Sequence, residues 1–242
     1  MKPENITDID WNLLKQKYPN QEKELVEKLA THYPVQYLIG NVEFLNTTIN
    51  VDERALIPRF ETELFVEKVI EKIKIMNLDN PSILDLGTGS GCISIALKKN
   101  ITCEVTGVDI SLNAITLAKE NAEQNNVPII FKQENMLTTS YEGFDIIVSN
   151  PPYVSEIEPV GPETKYEPQN ALFAPNQGLY FYEKIIEKIS KLTKKPKLVA
   201  FEIGMTQKEA IKNLAQKYLS NCNIYGEKDL TNRDRYIFIT FE

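Results

Sequence analysis

The chain has 242 residues, 42% hydrophobic and 25% charged, which is ordinary globular usage and excludes global disorder. At roughly 150 residues per domain, that length fits one large domain with a small appendage. With 27 basic and 34 acidic residues the net charge is -7, which disfavours non-specific binding to phosphate backbones.

Residues 1–10 are polar and acidic and no apolar run approaches the ~18 residues of a spanning helix, so neither a signal peptide nor a membrane segment is expected. Cys92, Cys103 and Cys222 are odd in number and widely spaced, as suits reduced thiols in a cytoplasmic protein. No CxxC pair points to a metal.

In chain order, Ile9 to Leu29 carries apolar residues at helical spacing, interrupted by Tyr18-Pro19-Asn20, and predicts two short helices. Val35 to Val51 reads as two extended runs, Tyr37-Leu38-Ile39 and Phe44 to Val51, broken at Gly40-Asn41, and is expected to form a β-hairpin linker. Thr62 to Ile75 returns to helix with a broad apolar stripe. These divisions predict a helical N-terminal part at 1–34, the linker at 35–52 and a main domain at 53–242.

From Pro81 onward short apolar strands alternate with helical stretches, the pattern of a parallel sheet covered on both faces. Strands are expected at Ser82 to Leu86, Glu104 to Asp109, Ile129 to Gln133, Phe144 to Ser149 and Leu198 to Ile203. Helices are expected at Cys92 to Lys99, Leu112 to Asn125, Leu179 to Lys191 and Gln207 to Leu219. Asn223 to Tyr225 and Tyr236 to Phe241 have only a polar loop between them and predict a closing antiparallel pair.

Two motifs carry chemistry. The first strand runs into Gly87-Thr88-Gly89-Ser90-Gly91 and then a helix, so a ligand can press against the main chain and the helix N-terminus. The spacing G-x-G-x-G departs from the dinucleotide G-x-G-x-x-G, and Asp109 ends the second strand where a carboxylate can hold a ribose diol. NAD and S-adenosylmethionine both present such a diol. Asp85, beside the loop, favours a cationic ligand over a pyrophosphate.

The second motif is Asn150-Pro151-Pro152-Tyr153, at the end of the fourth strand and facing the same crevice. Asn150 precedes a proline and is held extended, so its side-chain oxygen can accept from a substrate NH2. Pro151 lacks an N–H and can aim its carbonyl as a second acceptor. Tyr153 offers an aromatic face to a flat substrate group or a sulfonium methyl. Two acceptors on an amide or aniline-like nitrogen raise its nucleophilicity, and in-line placement against a methyl donor can supply ~7–11 kcal/mol of the barrier. This motif favours the methyl donor over the dinucleotide.

These residues resemble the class I S-adenosylmethionine-dependent methyltransferases, and within them the release factor glutamine methyltransferases. The resemblance runs from about Pro34 onward. It rests on Gln36-Tyr37 and Gly40, on Leu56-Ile57-Pro58-Arg59-Phe60-Glu61-Thr62-Glu63, on Asp85 to Gly91, on Asp109 and on Asn150 to Tyr153. It also includes Glu167-Pro168 with Ala171-Leu172, Gly178-Leu179, Glu202-Ile203-Gly204 with Gln207, and Asp229-Leu230 with Arg233-Asp234-Arg235.

The resemblance implies an α/β Rossmann-like fold, a mostly parallel seven-stranded sheet with an antiparallel C-terminal strand. It implies methylation of the side-chain amide nitrogen (N5) of the glutamine in the Gly-Gly-Gln motif of class I peptide-chain release factors, with S-adenosyl-L-methionine as cofactor. Catalysis would fall to Asn150, Pro151 and Tyr153, with Pro152 joining them in substrate binding. Gly87, Thr88, Gly89, Ser90, Gly91, Asp109 and Asn150 would hold the cofactor, with Asn135 and Met136 beside the adenine. Arg59, Glu61, Thr62 and Glu63 would line the methionine end.

Two features depart from the family pattern: Phe60 stands where proline is usual, and the N-terminal part is shorter than the usual several-helix domain. Competing activities on the same tetrapeptide are adenine-N6 methylation of DNA or RNA and glutamine methylation of a ribosomal protein. The acidic net charge and the Ile57 to Glu63 stretch disfavour a nucleic-acid substrate. A hydride-transfer enzyme would need a tyrosine, histidine or lysine poised for proton transfer, and the only histidine, His32, precedes the main domain.

Overall fold

A computed structural model describes residues 2–3 and 6–241. The chain begins with helices α1 (Asp8–Lys17), α2 (Glu22–Ala30) and α3 (Val35–Ile39), followed by the hairpin β1 (Asn41–Phe44) and β2 (Thr47–Asn50). After helix α4 (Phe60–Ile75) come β3 (Ser82–Leu86), α5 (Cys92–Asn100), β4 (Glu104–Asp109), α6 (Leu112–Gln124), β5 (Ile130–Gln133) and β6 (Ile146–Ser149). A pair of two-residue strands, β7 (Val154–Ser155) and β8 (Phe173–Ala174), brackets a loop with two 3-10 turns. The chain continues through α7 (Tyr180–Ser190), β9 (Leu198–Glu202), α8 (Lys208–Tyr218), β10 (Cys222–Lys228) and β11 (Asp234–Phe241).

One element differs in kind from its sequence reading. Tyr37-Leu38-Ile39, expected as a strand, lies in the single helical turn α3, and Gly40 ends it in the left-handed conformation. Packing decides this: Leu38 joins Ile6, Trp11, Leu14, Leu25 and Leu29 in the small core of the N-terminal helices, while the Tyr37 hydroxyl donates to the Ala55 carbonyl at 2.9 Å. The hairpin therefore starts at Asn41 and turns at Leu45-Asn46, not at Gly40-Asn41. The outer edge of β2 is satisfied by α6 and the residue that caps it, where Asn121 Oδ1 accepts from the Asn50 N–H (2.8 Å) and Asn125 Oδ1 from the Thr48 N–H (3.2 Å).

Seven strands form the main sheet in the order β10-β11-β9-β6-β3-β4-β5. Every neighbouring pair is parallel except those made by β11, which runs antiparallel to both β9 and β10. The central strands read as unbroken apolar runs because both faces are covered. One face buries Ile83, Ile146, Val148 and Phe238 under α4 and α5, and the other buries Leu84, Ile147, Val199 and Ile237 under α7 and α8.

The chain proceeds outward from β3 through β4 to β5 and then returns to place β6 on the other side of β3. This reversal leaves a crevice beyond the carboxyl ends of β3 and β6, where open α/β sheets bind ligands. No helix among the described residues is long and apolar enough to cross a membrane.

Candidate active site

The crevice holds a cavity of about 400 Å³, within the size range of small-molecule sites. Its walls come from the Arg54–Pro58 segment, Thr62, the loop Gly87–Ser90, Asp109, Asn135–Leu137, Asn150 and Pro152, with Tyr180 and Phe181 of α7. The two motifs, 60-odd residues apart in the chain, thus face one space because β3 and β6 are adjacent in register, Leu86 beside Ser149.

The glycine loop is braced from beneath. Asp85 is fully buried, and its Oδ2 accepts from Thr88 Oγ (2.7 Å) and Ser94 Oγ (2.7 Å). Its Oδ1 is buried without a partner. Burial pushes the Asp85 carboxyl up to about 6, against the pull of those two hydroxyls. Gly89, at φ +54, has open space where a side chain would project, so the backbone there presents itself bare to the cavity.

Asp109 stands at the end of β4 with both oxygens oriented by main chain: Oδ2 accepts from the Gly89 N–H (3.0 Å) and Oδ1 from the Ser111 N–H (2.9 Å). Each oxygen keeps a lone pair for a ligand hydroxyl. Burial raises its carboxyl from the ordinary value, against the pull of those main-chain N–H groups. Gly91 lies behind the wall, where a side chain would press on Ala118, Ile95 and Phe131; it lets the loop turn tightly into α5. Asn135 and Met136 are on the wall after β5.

Of the four residues expected to line the methionine end, only Thr62 reaches the cavity wall. Arg59 turns to Glu167, with a guanidinium nitrogen 2.5 Å from Oε2. The Glu63 carboxylate accepts from the Leu45 N–H at 3.0 Å, closing the hairpin turn. Glu61 accepts the Tyr236 hydroxyl on its backbone carbonyl at 2.9 Å. Phe60 begins α4 and is 59% exposed, and Arg59 before it is extended at the helix N-cap.

In the tetrapeptide, Asn150 and Pro152 are on the wall, whereas Pro151, expected beside the substrate, is buried and does not line the cavity. Tyr153 is turned inward, its hydroxyl donating to Glu202 Oε1 at 3.4 Å and its carbonyl accepting from Gln207 Nε2 at 2.9 Å. Glu202, Glu167 and Gln207, which the sequence names only within the family resemblance, lie off the cavity wall and hold the Thr62 hydroxyl, the Ile57 N–H and the Tyr153 carbonyl in turn. Glu202 is fully buried, and burial pushes its carboxyl up to about 7 against the pull of Thr62, Arg235 and Tyr153.

Known proteins match both the fold and the sequence. The family described as "Methyltransferase small domain" matches residues 61–162. A Streptococcus pneumoniae protein named release factor glutamine methyltransferase is 39% identical over 248 residues, 99% of this chain and 88% of that protein. A Lactococcus lactis protein of the same name is 38% identical over 97% of this chain and 89% of its own length. This chain belongs to the release factor glutamine methyltransferases.

Solved structures share the fold of this family member at lower identity. A ribosomal protein L11 methylase from Lactobacillus delbrueckii aligns with a TM-score of 0.55 at 22% identity, over 78% of this chain and 81% of its own. A T. thermophilus 16S rRNA methyltransferase in complex with AdoMet and guanosine aligns with a TM-score of 0.59 at 16% identity, over 84% of this chain and 50% of that one. In this release factor glutamine methyltransferase family member, Asn150 and Pro152 at the mouth of β6 and the bare glycine loop at the mouth of β3 line one cavity.

Proposed function

We propose that this chain transfers a methyl group from S-adenosyl-L-methionine to the side-chain amide nitrogen (N5) of the glutamine in the Gly-Gly-Gln motif of class I peptide-chain release factors. The observation that carries this reading is the convergence of Asn150 and Pro152 with the Gly87–Ser90 loop on one cavity. Residues 53–242 form the catalytic domain in this reading, with 35–52 as linker and 1–34 as a small appendage, working in the cytoplasm.

The donor set fits the cofactor. Gly87–Ser90 offer bare main chain, Asp109 offers oriented acceptors for ribose hydroxyls, and Asn135 and Met136 flank a planar base. The unpartnered Asp85 Oδ1 suits the positively charged end of the ligand, because a buried carboxylate oxygen without a partner favours a nearby cation. When bound, S-adenosylmethionine supplies an electrophilic methyl on a sulfonium.

The chain's own residues do the rest. Asn150 Oδ1 and the Pro151 carbonyl accept the two hydrogens of the substrate NH2, drawing electron density onto nitrogen and favouring its pyramidal form. The cavity walls hold the amide in line, an effect that can reach ~7–11 kcal/mol. As the N–C bond forms the methyl–sulfur bond would break, and the amide proton becomes acidic enough to pass to solvent at the cavity mouth, so a dedicated strong base is unnecessary. Tyr153 supports the tetrapeptide from behind through Glu202.

The test incubates the protein with S-adenosylmethionine and a recombinant class I release factor and maps modified peptides by mass spectrometry, with adenine-containing DNA and ribosomal proteins in parallel tubes. One methyl on the Gly-Gly-Gln glutamine, absent with Asn150→Ala, supports the reading. Methyl found only on adenine or on a ribosomal protein overturns the substrate.

A further inference from the structure

A primary amide has two ends of similar shape and opposite polarity, and only the oxygen end of Asn150 can accept a hydrogen from a substrate NH2. The structure contains a device that selects that end. Thr62, in the first turn of α4, and Glu202, the last residue of β9, are 3% and 1% exposed. Thr62 Oγ donates to Glu202 Oε2 at 2.7 Å. A hydroxyl has one proton, so the face that Thr62 turns to Asn150 is a lone pair. Asn150 Nδ2 donates to it at 3.2 Å. Were the amide reversed, two oxygens would meet with no proton between them, a buried mismatch of the kind that costs ~1–3 kcal/mol.

We propose that Thr62 and Glu202 are positioning residues for methyl transfer: Glu202 takes the Thr62 proton, Thr62 thereby takes an Asn150 N–H, and the Asn150 oxygen is left free for the substrate amide. This rests on the reading of Asn150 as the amide acceptor. The same carboxylate takes the Tyr153 hydroxyl on its other oxygen, so both ends of the tetrapeptide are tied to one buried group.

The relay has a direction, and the charge on Glu202 sets it. Facing Glu202 are Glu61 of α4, Arg235 and Tyr236 of β11, Tyr153 after β6, Tyr182 of α7 and Cys92 of α5. Among them Arg235 favours the carboxylate and Glu61 opposes it. A proton on Oε2 turns Glu202 from acceptor to donor, releases the Thr62 hydrogen toward Asn150 and favours the unproductive amide orientation. The relay therefore works in the carboxylate form, and methyl transfer falls as pH is lowered through about 7.

The experiment measures kcat and KM for the full chain with S-adenosylmethionine and a class I release factor, in wild type, Thr62→Val, Thr62→Ser, Glu202→Gln and Asn150→Ala. Thr62→Val keeps the shape and removes the relay, and kcat is expected to fall about tenfold, the worth of one hydrogen bond, with KM for the donor within about twofold. Thr62→Ser restores kcat. Glu202→Gln, which can still accept from Thr62 but does not titrate, flattens the acidic limb of the kcat profile.

Wild-type kcat in Thr62→Val beside an inactive Asn150→Ala overturns the relay while leaving the acceptor reading intact. An unchanged acidic limb in Glu202→Gln also overturns it. An active Asn150→Ala overturns the acceptor reading itself and the relay with it. If Thr62→Val does not fold, by circular dichroism, the Thr62→Ser and Glu202→Gln results decide alone.

Discussion

Arg59 and Glu167 meet at 2.5 Å from segments 108 residues apart, and the Glu167 side chain is wholly buried beneath the pair. Its second oxygen accepts from the Ile57 N–H at 3.1 Å. Ile57, Pro58, Pro168 and Ala171 are all cavity wall, so this pair pins the loop between β7 and β8 against the segment that leads into α4.

Removing Arg59 strands a buried carboxylate, and removing the charge of Glu167 strands only a partly exposed guanidinium. Arg59→Ala is therefore expected to cost about 2–3 kcal/mol, after allowance for the solvent exposure of the arginine, and Glu167→Gln appreciably less. Urea titrations of both variants check the order. Equal losses would mean that the carboxylate finds another partner.

Glu202 gives a stability signature with a definite sign. Its carboxyl is raised from 4.5 to about 7 in the fold, so the contribution is fully present below about 4.5 and is lost as pH rises through 7. The whole effect is at most about 3 kcal/mol, at 1.36 kcal/mol per pH unit. Asp85, raised from 3.8 to about 6, acts in the same direction but is exhausted near pH 6. Between pH 6 and 8 wild type is expected to lose stability and Glu202→Gln to lose much less, measured as denaturation midpoints across that window. Parallel slopes would place the titration elsewhere.

Asp85 also predicts how donor affinity depends on pH. A cationic ligand favours its carboxylate form, so binding of S-adenosylmethionine is expected to weaken as pH falls through about 6 and to release a proton there. Calorimetry in two buffers of different ionisation enthalpy detects that proton. Asp85→Asn should bind more weakly at pH 8 and show no such release.

Two glycines separate backbone strain from collision. Gly143 is at φ +86 with nothing within 4 Å of an added Cβ, so Gly143→Ala should cost only the left-handed penalty, ~1–2 kcal/mol. Gly178 is at φ +81, and its Cβ would overlap the Tyr153 carbonyl oxygen and Gln207 Nε2. Gly178→Ala should therefore cost clearly more than Gly143→Ala in thermal or urea unfolding, and should also lower kcat by displacing Tyr153. Equal costs would show that the Tyr153 backbone yields freely.

The sheet was legible because its strands are short apolar runs separated by helical periods, so the strand bounds Ser82–Leu86 and Glu104–Asp109 agree with the structure to the residue. The turn at Val35–Ile39 was not, because five residues hold little more than one helical period, and tyrosine, leucine and isoleucine also suit a strand. What settles it is Leu38 meeting Trp11 and Leu14, a contact no local pattern encodes. At the site, the glycine loop and the tetrapeptide stand out as contiguous words, whereas Thr62 and Glu202 are 140 residues apart. Their meeting depends on how α4 lies over β9, and the glutamate alone reads as one more strand terminus.

The antiparallel insertion of β11 between β9 and β10 has a consequence for synthesis. β10 emerges from the ribosome first yet touches no strand of the sheet except β11, and β11 buries Tyr236, Ile237, Phe238 and Ile239 completely. Until β11 is available, the growing sheet stops at β9, an apolar edge open to any passing strand. The strands that flank the crevice, β3 and β6, thus precede the unfinished flank in the chain, and the β10–β11 hairpin completes that flank last.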